Sequence, residues 1–336
     1  MSTSRENLNR TNALLSALDL KAPIIGAPLG GASEYELAAA LSRCGCFGFI
    51  GTGGPSYTTQ SWIEEQIELA TSHGDIRRIG VGIGVSRLAK EDKLLQSIIA
   101  AKLAAVWLSF GDPSPYTMPL QNAGKLVFSQ VNNLAEAELA IAAGVDVIVA
   151  QGLEAGGHTG DTNTVFSLVP MIRDCIDSLE SPELPFLAAA GSIVDGRTML
   201  AALTLGADAV VLGTRLALSP ESVYKQRYQQ AVLSTSDAGK GTMLSEYADR
   251  LRGKSHSHKG RCLTNELFNP NKLSGLTPDE ISKSTETCLR AIENEEASKE
   301  VIWSGQGAST ITEILPVATI IERTLTEVEQ LKQSLS

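Results

Sequence analysis

Eight short apolar segments alternate with longer amphipathic segments between residues 23 and 214, and this alternation constrains the fold more than any other feature of the sequence. Most of the short segments are continuous apolar runs, which is typical of strands covered on both faces of a parallel sheet. The predicted strands are "PIIGAPL" (23–29), "CFGFIGT" (46–52), "RIGVGIGV" (78–85), "AAVWLSF" (104–110), "KLVFSQV" (125–131), "VDVIVAQG" (145–152), "PFLAAAGSI" (185–193) and "ADAVVLGT" (207–214).

The segments between these strands are predicted to be helices. In "SEYELAAALSRCG" (33–45), Ser33 and Glu36 have the spacing of a capping box, and Gly45 stands where the helix would end. Eight strand–helix units with short connections predict an α/β protein with a closed (β/α)8 TIM barrel. An open, Rossmann-like sheet is the alternative.

The pattern changes after residue 214, and it divides the chain into four parts. We predict an N-terminal lead-in (1–22), the barrel core (23–214), a mostly helical cap (215–310) and a C-terminal helix that returns to the barrel (311–336).

Composition and charge exclude several classes of function. Hydrophobic residues make up 43% of the chain and charged residues 20%, as in globular proteins. The formal net charge of −10 opposes binding to nucleic acid or to anionic membrane surfaces. Because no signal peptide or membrane-spanning run is found, we expect a cytoplasmic protein. The five cysteines lack paired metal-binding spacing, so no metal site is predicted.

Glycines stand at the ends of the last two predicted strands. Gly191 and Gly213 each lead into a helix, where exposed backbone amides and the helix dipole favour a phosphate group. Loops after strands 7 and 8 are also the recurrent phosphate site of this barrel. We therefore expect a phosphorylated cofactor, namely FMN. Gly84, in strand three, would let a flat ligand approach closely.

The stretch "QGLEAGGHTG" (151–160) places His158 just after the sixth predicted strand, at the same face of the barrel. An imidazole there can exchange a proton near neutral pH, and Gly156 and Gly157 would let the loop turn across the mouth. Glu154 would either orient the ring or cap the next helix. The alternative is a structural histidine that only bonds loop carbonyls. The two histidines of "SHSHK" (255–259) lack a third ligand, so we interpret that segment as a solvated loop.

Four motifs at the ends of predicted strands, "GAPLGG", "QGLEAGGHTG", "AAAGSIVDGR" and "LGTR", occur in the same order as in the nitronate monooxygenase family. The chain resembles this family, whose members are FMN-dependent (β/α)8 barrels. The resemblance covers roughly residues 20–215 and extends more loosely to "KGRCLTNELF" (259–268) and "WSGQGASTITEI" (303–314).

The resemblance implies that His158 is the base that removes the α-proton of a nitroalkane. The resulting nitronate would be oxidised by O2, through FMN, to a carbonyl compound and nitrite. The expected partners are thus a small-molecule substrate and O2, with a homodimer as the oligomeric alternative. The implied FMN contacts are Ala27, Pro28 and Leu29 along the ring, Gln151, Gly156 and Gly157 at its border, and Gly191, Ser192, Gly213 and Thr214 at the phosphate.

Two departures from the family pattern leave other functions open. Many members carry polar side chains near the end of strand three, where this chain has Gly82 and Gly84, and some carry a lysine at the position of Gln130, which could bond the flavin only as a neutral group. One alternative is an NAD(P)H-dependent enoyl-acyl-carrier-protein reductase, with the basic segment 250–261 as a docking patch or as a solvated loop. Another is a flavin-binding barrel without catalysis.

Overall fold

Eight parallel strands form the central sheet. The computed structural model describes residues 4–53, 58–181, 184–235, 241–254 and 256–335. The barrel strands are β1 (Ile24–Gly26), β2 (Gly48–Gly51), β3 (Ile79–Gly84), β4 (Ala105–Ser109), β5 (Leu126–Val131), β6 (Val147–Gln151), β8 (Phe186–Ala190) and β9 (Ala209–Leu212). Their order is β1-β9-β8-β6-β5-β4-β3-β2, with every neighbouring pair parallel.

Backbone hydrogen bonds between β1 and the start of β2 close this sheet into a barrel. The amide of Gly26 donates to the Phe47 carbonyl at 2.8 Å, and the amide of Phe47 donates to the Ile24 carbonyl at 3.1 Å. An open doubly wound sheet would leave both of these edges unpaired. The predicted (β/α)8 barrel is therefore confirmed.

Aromatic side chains fill the inside of the barrel. Phe47, Phe49, Trp107 and Phe128 are buried there, and the ring of Phe49 lies 5.0–5.3 Å from the other three ring centroids. Leu14, from the N-terminal helix, is completely buried in the same cluster. Because side chains fill the barrel, ligand sites of this fold lie at its C-terminal mouth.

Helices cover the outside of the barrel and build the segment that follows it. Those of the barrel region are Ser4–Ala17, Tyr35–Arg43, Gln60–His73, Val85–Leu88, Asp92–Ala100, Ser114–Asn122, Leu134–Ala142, Val165–Asp177, Gly196–Thr204 and Thr214–Ala217. The later ones are Gln226–Leu233, Tyr247–Arg250, Pro270–Leu273, Pro278–Glu293 and Val317–Leu335.

The predicted capping box at Ser33 is wrong. The Ser33 hydroxyl donates to the backbone carbonyl of Phe49, in β2, and Glu34 precedes the helix without a side-chain cap. A capping box does form at Asp195 and Thr198, where the helix Gly196–Thr204 begins. The Ser33 hydroxyl thus ties the loop after β1 to its neighbouring strand.

The segment 215–310, predicted to be mostly helical, also contributes two strands to a small antiparallel sheet. In that sheet β10 (Thr242–Ser245) pairs with β11 (Lys259–Leu263), which pairs with β7 (Gly157–Thr159) in the loop after β6. The sheet therefore joins this segment to the loop that carries His158. We call these three strands the clasp.

The C-terminal helix Val317–Leu335 packs against the barrel helix Gly196–Thr204, and the Glu327 carboxylate accepts the Gly196 amide at 2.7 Å. None of the helices in the described ranges is long and apolar enough to cross a bilayer.

Candidate active site

His158 lies at the centre of β7, opposite Gly260 of β11. Both glycines that precede it are required by the backbone. A Cβ on Gly156 would lie 2.5 Å from the Gly305 amide nitrogen, and Gly157 has a φ of +81°, which favours glycine. The "GGH" sequence therefore lets the chain pass under the 303–307 loop and then enter the clasp.

Aromatic rings surround the His158 imidazole. The ring of His256 stacks on it at 3.7 Å, the Trp303 ring lies at 4.9 Å and the Phe110 ring at 6.0 Å, between centroids. Phe110 follows β4 directly, with a φ of +60°, a strained value of the kind that clusters at functional sites. The ring cluster thus places His158 beside the end of β4, at the mouth of the barrel.

The segment "SHSHK" is largely exposed, as expected for a solvated loop, but its two histidines also contact the site, while Ser255 lies outside the described residues. His256 stacks on His158, and His258 lies 4.9 Å from the Phe110 ring. Desolvation and the charge of His158 lower the pKa of His256 to about 4. The described residues hold no group of three or more His, Cys, Asp or Glu side chains placed to bind a metal ion.

The imidazole of His158 is paired with the carboxylate of Asp249. Nε2 of His158 lies 2.6 Å from Oδ2 of Asp249, and the carboxylate side chain is only 8% exposed. Burial raises the pKa of this carboxyl, but the hydrogen bond to His158 and the positive charge nearby lower it by more, so the pKa lies below its ordinary value. Sequence reasoning missed Asp249, which lies 91 residues beyond the histidine.

A row of polar side chains crosses the ends of β4, β5 and β6. The Ser109 hydroxyl donates to Oε1 of Gln130 at 3.2 Å, and Nε2 of Gln130 donates to Oε1 of Gln151 at 2.8 Å. Nδ2 of Asn132 donates to the same oxygen at 2.9 Å and to the backbone carbonyl of Gln151 at 3.0 Å. Gln130 and Gln151, both predicted site residues, are therefore brought together, and Asn132 is added to them.

The loop that contains residues 27–29 follows β1 and crosses the ends of β2 and β3. A Cβ on Gly82 would lie 2.2 Å from Cβ of Pro28, so Gly82 is glycine because the loop passes over it. At Gly84, one layer nearer the mouth, an added Cβ would have only Oγ of Ser86 within 4 Å among the described residues, at 3.9 Å. The missing polar side chains of strand three thus have a steric explanation at Gly82 and leave open space at Gly84.

Hydroxyl groups and backbone amides converge at the ends of β8 and β9. Oγ of Ser192 accepts the Gly307 amide at 2.5 Å, and Oγ1 of Thr214 accepts the Gly305 amide at 2.9 Å. A hydroxyl oxygen that accepts an N–H keeps its own proton for a further acceptor. The Ser304 hydroxyl is buried and has no partner among the described residues. This donor set fits a phosphate group.

Gly213 and Gly191 lie beside these donors. A Cβ on Gly213 would meet no described atom closer than 3.7 Å, whereas one on Gly191 would lie 2.7 Å from the backbone of Ala155. The 303–307 loop, "WSGQG", is only a weak sequence indication of a site. Its hydrogen bonds to Thr214 and Ser192 join residues 91 and 115 positions apart, so no local spacing predicts them.

Glu154 caps a helix and does not orient His158. Its carboxylate oxygens accept the amide of Val165, the first residue of the helix Val165–Asp177, at 3.0 and 3.1 Å. Of the two roles considered for Glu154, the helix cap is therefore the one that is formed.

The basic residues of segment 250–261 are largely engaged within the protein. Arg250 pairs with Glu246 at 2.6 Å, Lys259 pairs with Asp161 at 2.8 Å, and the buried Arg261 donates to the Leu153 carbonyl at 2.8 Å. The first two are exposed ion pairs of the kind that contribute little to stability, whereas Arg261 anchors β11 to the loop after β6.

Comparison with known proteins gives consistent matches over nearly the whole chain. A family model described as nitronate monooxygenase matches residues 78–327. The nitronate monooxygenase of Neurospora crassa is 30% identical over 343 residues, which cover 91% of this chain and 89% of that protein. FabK from Thermotoga maritima is 29% identical with a TM-score of 0.81, covering 96% of this chain and 97% of that one. A nitroalkane oxidase from Streptomyces ansochromogenes is 25% identical with a TM-score of 0.78, covering 96% and 100%.

Proposed function

The chain belongs to the nitronate monooxygenase family, and on that premise we propose that it oxidises alkyl nitronates and their parent nitroalkanes with O2, using FMN. His158 is the base that takes the α-proton of a neutral nitroalkane. The products are a carbonyl compound and nitrite.

The position of His158 carries this proposal. Its ring lies against Phe110 at the end of β4, and the adjacent hydroxyl of Thr159 donates to the Gly152 carbonyl just past the end of β6. A base at the mouth, walled by aromatic rings, suits a small substrate whose proton must leave without competition from water.

FMN would be held by groups that the barrel presents at the same face. The Ser192 and Thr214 hydroxyls, with the space beside Gly213, would hold its phosphate, and the open position at Gly84 would accept part of its ring. Gln151 would offer a neutral amide to the ring, bordered by the Gly156–Gly157 turn. When bound, FMN supplies the electron acceptor for nitronate oxidation, with O2 as the final oxidant.

The protein's own share of the reaction is proton removal. The α-carbon–hydrogen bond breaks, the proton goes to a ring nitrogen of His158, and the electron pair stays on the substrate as the nitronate. In sum, two nitroalkanes and one O2 give two carbonyl compounds and two molecules of nitrous acid, so atoms and electrons balance.

The His158→Asn variant tests the assignment. With nitroethane, which needs a base, we expect kcat/KM to fall about 100-fold or more, in the range typical for loss of a general base. With preformed ethylnitronate we expect a change of less than about 5-fold, because no proton has to be removed. Oxygen uptake and nitrite release measure both rates, and flavin content controls for folding. Equal losses of the variant's rate with both substrates would contradict the base role. If the wild-type enzyme releases no nitrite from either substrate, the proposed function is contradicted.

A further inference from the structure

The carboxylate of Asp249 reaches His158 from outside the barrel. Asp249 lies on the short helix Tyr247–Arg250, between β10 and β11 of the clasp. The neighbouring Ala248 packs so closely on Gly260 that a Cβ added to Gly260 would lie 2.7 Å from the Cβ of Ala248. Gly260 is the residue paired with His158 across the clasp. The clasp therefore holds the backbone of His158, and the helix between two of its strands holds the side chain.

We propose that Asp249 is a positioning residue that fixes the tautomer and the orientation of the His158 ring, so that Nδ1 is the atom that takes the substrate proton. This inference rests on the proposed function of His158 as a base. An ionised carboxylate can only accept hydrogen bonds, so at 2.6 Å the proton of neutral His158 must lie on Nε2. Nδ1 then carries the free lone pair.

Asp249 also stabilises the positive charge that proton transfer creates on the His158 ring. When the α-carbon–hydrogen bond breaks and Nδ1 gains the proton, the ring becomes an imidazolium that donates to a buried anion. Without that anion the new cation would form among Phe110, Trp303 and the His256 ring, none of which carries a negative charge. The buried position of Asp249, 8% exposed, strengthens this interaction.

The other titratable groups near His158 do not take over this role. The His256 pKa is lowered to about 4, so that ring is neutral near pH 7, and burial likewise lowers the pKa of His258. Of the nearby carboxylates, Glu154 caps the helix at Val165, and Asp161 pairs with Lys259.

Three variants separate a positioning role from a purely structural one. Asp249→Asn keeps the size of the side chain but can turn its amide N–H toward Nε2, which favours the opposite tautomer. Asp249→Glu keeps the charge. Asp161→Asn is the matched control, because it removes an exposed carboxylate that pairs with Lys259 of the clasp and leaves the pairing of His158 with Asp249 in place.

In the flavin-loaded enzymes, we expect Asp249→Asn to lower kcat/KM for nitroethane by about 100-fold or more and to change the rate with preformed ethylnitronate by less than about 5-fold. The limb of the pH profile that reports the base should move to lower pH, because the imidazolium loses its anion. Asp249→Glu should recover at least part of the rate, and Asp161→Asn should match wild type. Losses that are equal for both substrates, or an unmoved pH limb, would show that Asp249 is only structural.

Nitrogen-15 NMR of the histidine rings gives a readout that needs no turnover, with His158 assigned by the signals lost in His158→Asn. We expect neutral His158 to carry its proton on Nε2 in the wild type and to lose that preference in Asp249→Asn. A proton on Nδ1 in the wild type would overturn the inference. If neither nitroethane nor nitronate is consumed, the proposed function fails, while the NMR result still decides the role of Asp249.

Discussion

Asn132 donates its side-chain amide both to the backbone carbonyl and to the side-chain oxygen of Gln151, at 3.0 and 2.9 Å. The backbone carbonyl can only accept, so the Asn132 atom is nitrogen and the Gln151 atom that it meets is oxygen. Gln130 must then donate to that oxygen in turn, and Ser109 must donate to Gln130. The direction of the whole row is fixed, and it leaves the Gln151 Nε2 group as its donor end.

Gln151→Glu should therefore lower the reduction potential of the flavin without breaking the row of hydrogen bonds from Ser109 to Gln151. The remaining carboxylate oxygen still accepts from Gln130 and Asn132, but the donor end becomes an anion that repels a reduced flavin. We expect the two-electron midpoint potential to fall by about 30 mV or more, equivalent to about 1.4 kcal/mol. Spectroelectrochemistry measures it, with Gln230→Glu, on an exposed helix face, as the charge control. An unchanged potential would place Gln151 away from the flavin.

Gly213→Asp tests the phosphate site. The position has room for a Cβ, since the nearest described atom would lie 3.7 Å away, so the added carboxylate acts mainly through its charge. Because this charge repels the phosphate, we expect FMN affinity to fall at least about 10-fold, which corresponds to about 1.4 kcal/mol of binding free energy. Titration of the flavin-free protein with FMN measures this by fluorescence quenching. Gly213→Ala is the matched control and should retain FMN; equal binding by both variants would move the phosphate elsewhere.

Gly156→Ala tests whether the histidine loop and the 303–307 loop must touch. The added methyl would lie 2.5 Å from the Gly305 amide nitrogen, so one of the two backbones has to shift. We expect the free energy of unfolding to fall by about 1–3 kcal/mol, as in other overpacked sites. Denaturant titration checks this against Gly241→Ala, where no described atom lies within 4 Å of the new methyl. A Gly156 variant as stable as that control would mean that the loops are not in contact.

The fold could be predicted from the sequence because its signals are local. Short apolar runs such as "VDVIVAQG", most of them continuous, recur eight times with helical segments between them, and the barrel follows from counting them. Even there the predicted helix cap at Ser33 is wrong, because the Ser33 hydroxyl donates to the backbone carbonyl of Phe49 in β2.

The site is only half visible in the sequence. His158 and the glycines after β8 and β9 stand in recognisable motifs, whereas Asp249 and Asn132 reach the site through pairings that no local spacing encodes. The strands of the clasp are short and polar, so the sequence predicts a mostly helical segment where they lie. In the sequence, Gly82 is seen as the loss of a polar side chain. The structure shows that a side chain there would collide with Pro28.

Anaerobic mixing of the flavin-loaded protein with one reductant at a time tests the central claim most directly. Oxidation of a nitronate must reduce the flavin, so we predict that propyl-3-nitronate bleaches the visible flavin absorbance within the turnover time and that NADPH does not. Rapid bleaching by NADPH, with no response to the nitronate, would contradict nitronate oxidation and identify a reductase. A flavin inert to both would identify a barrel that binds flavin without this chemistry.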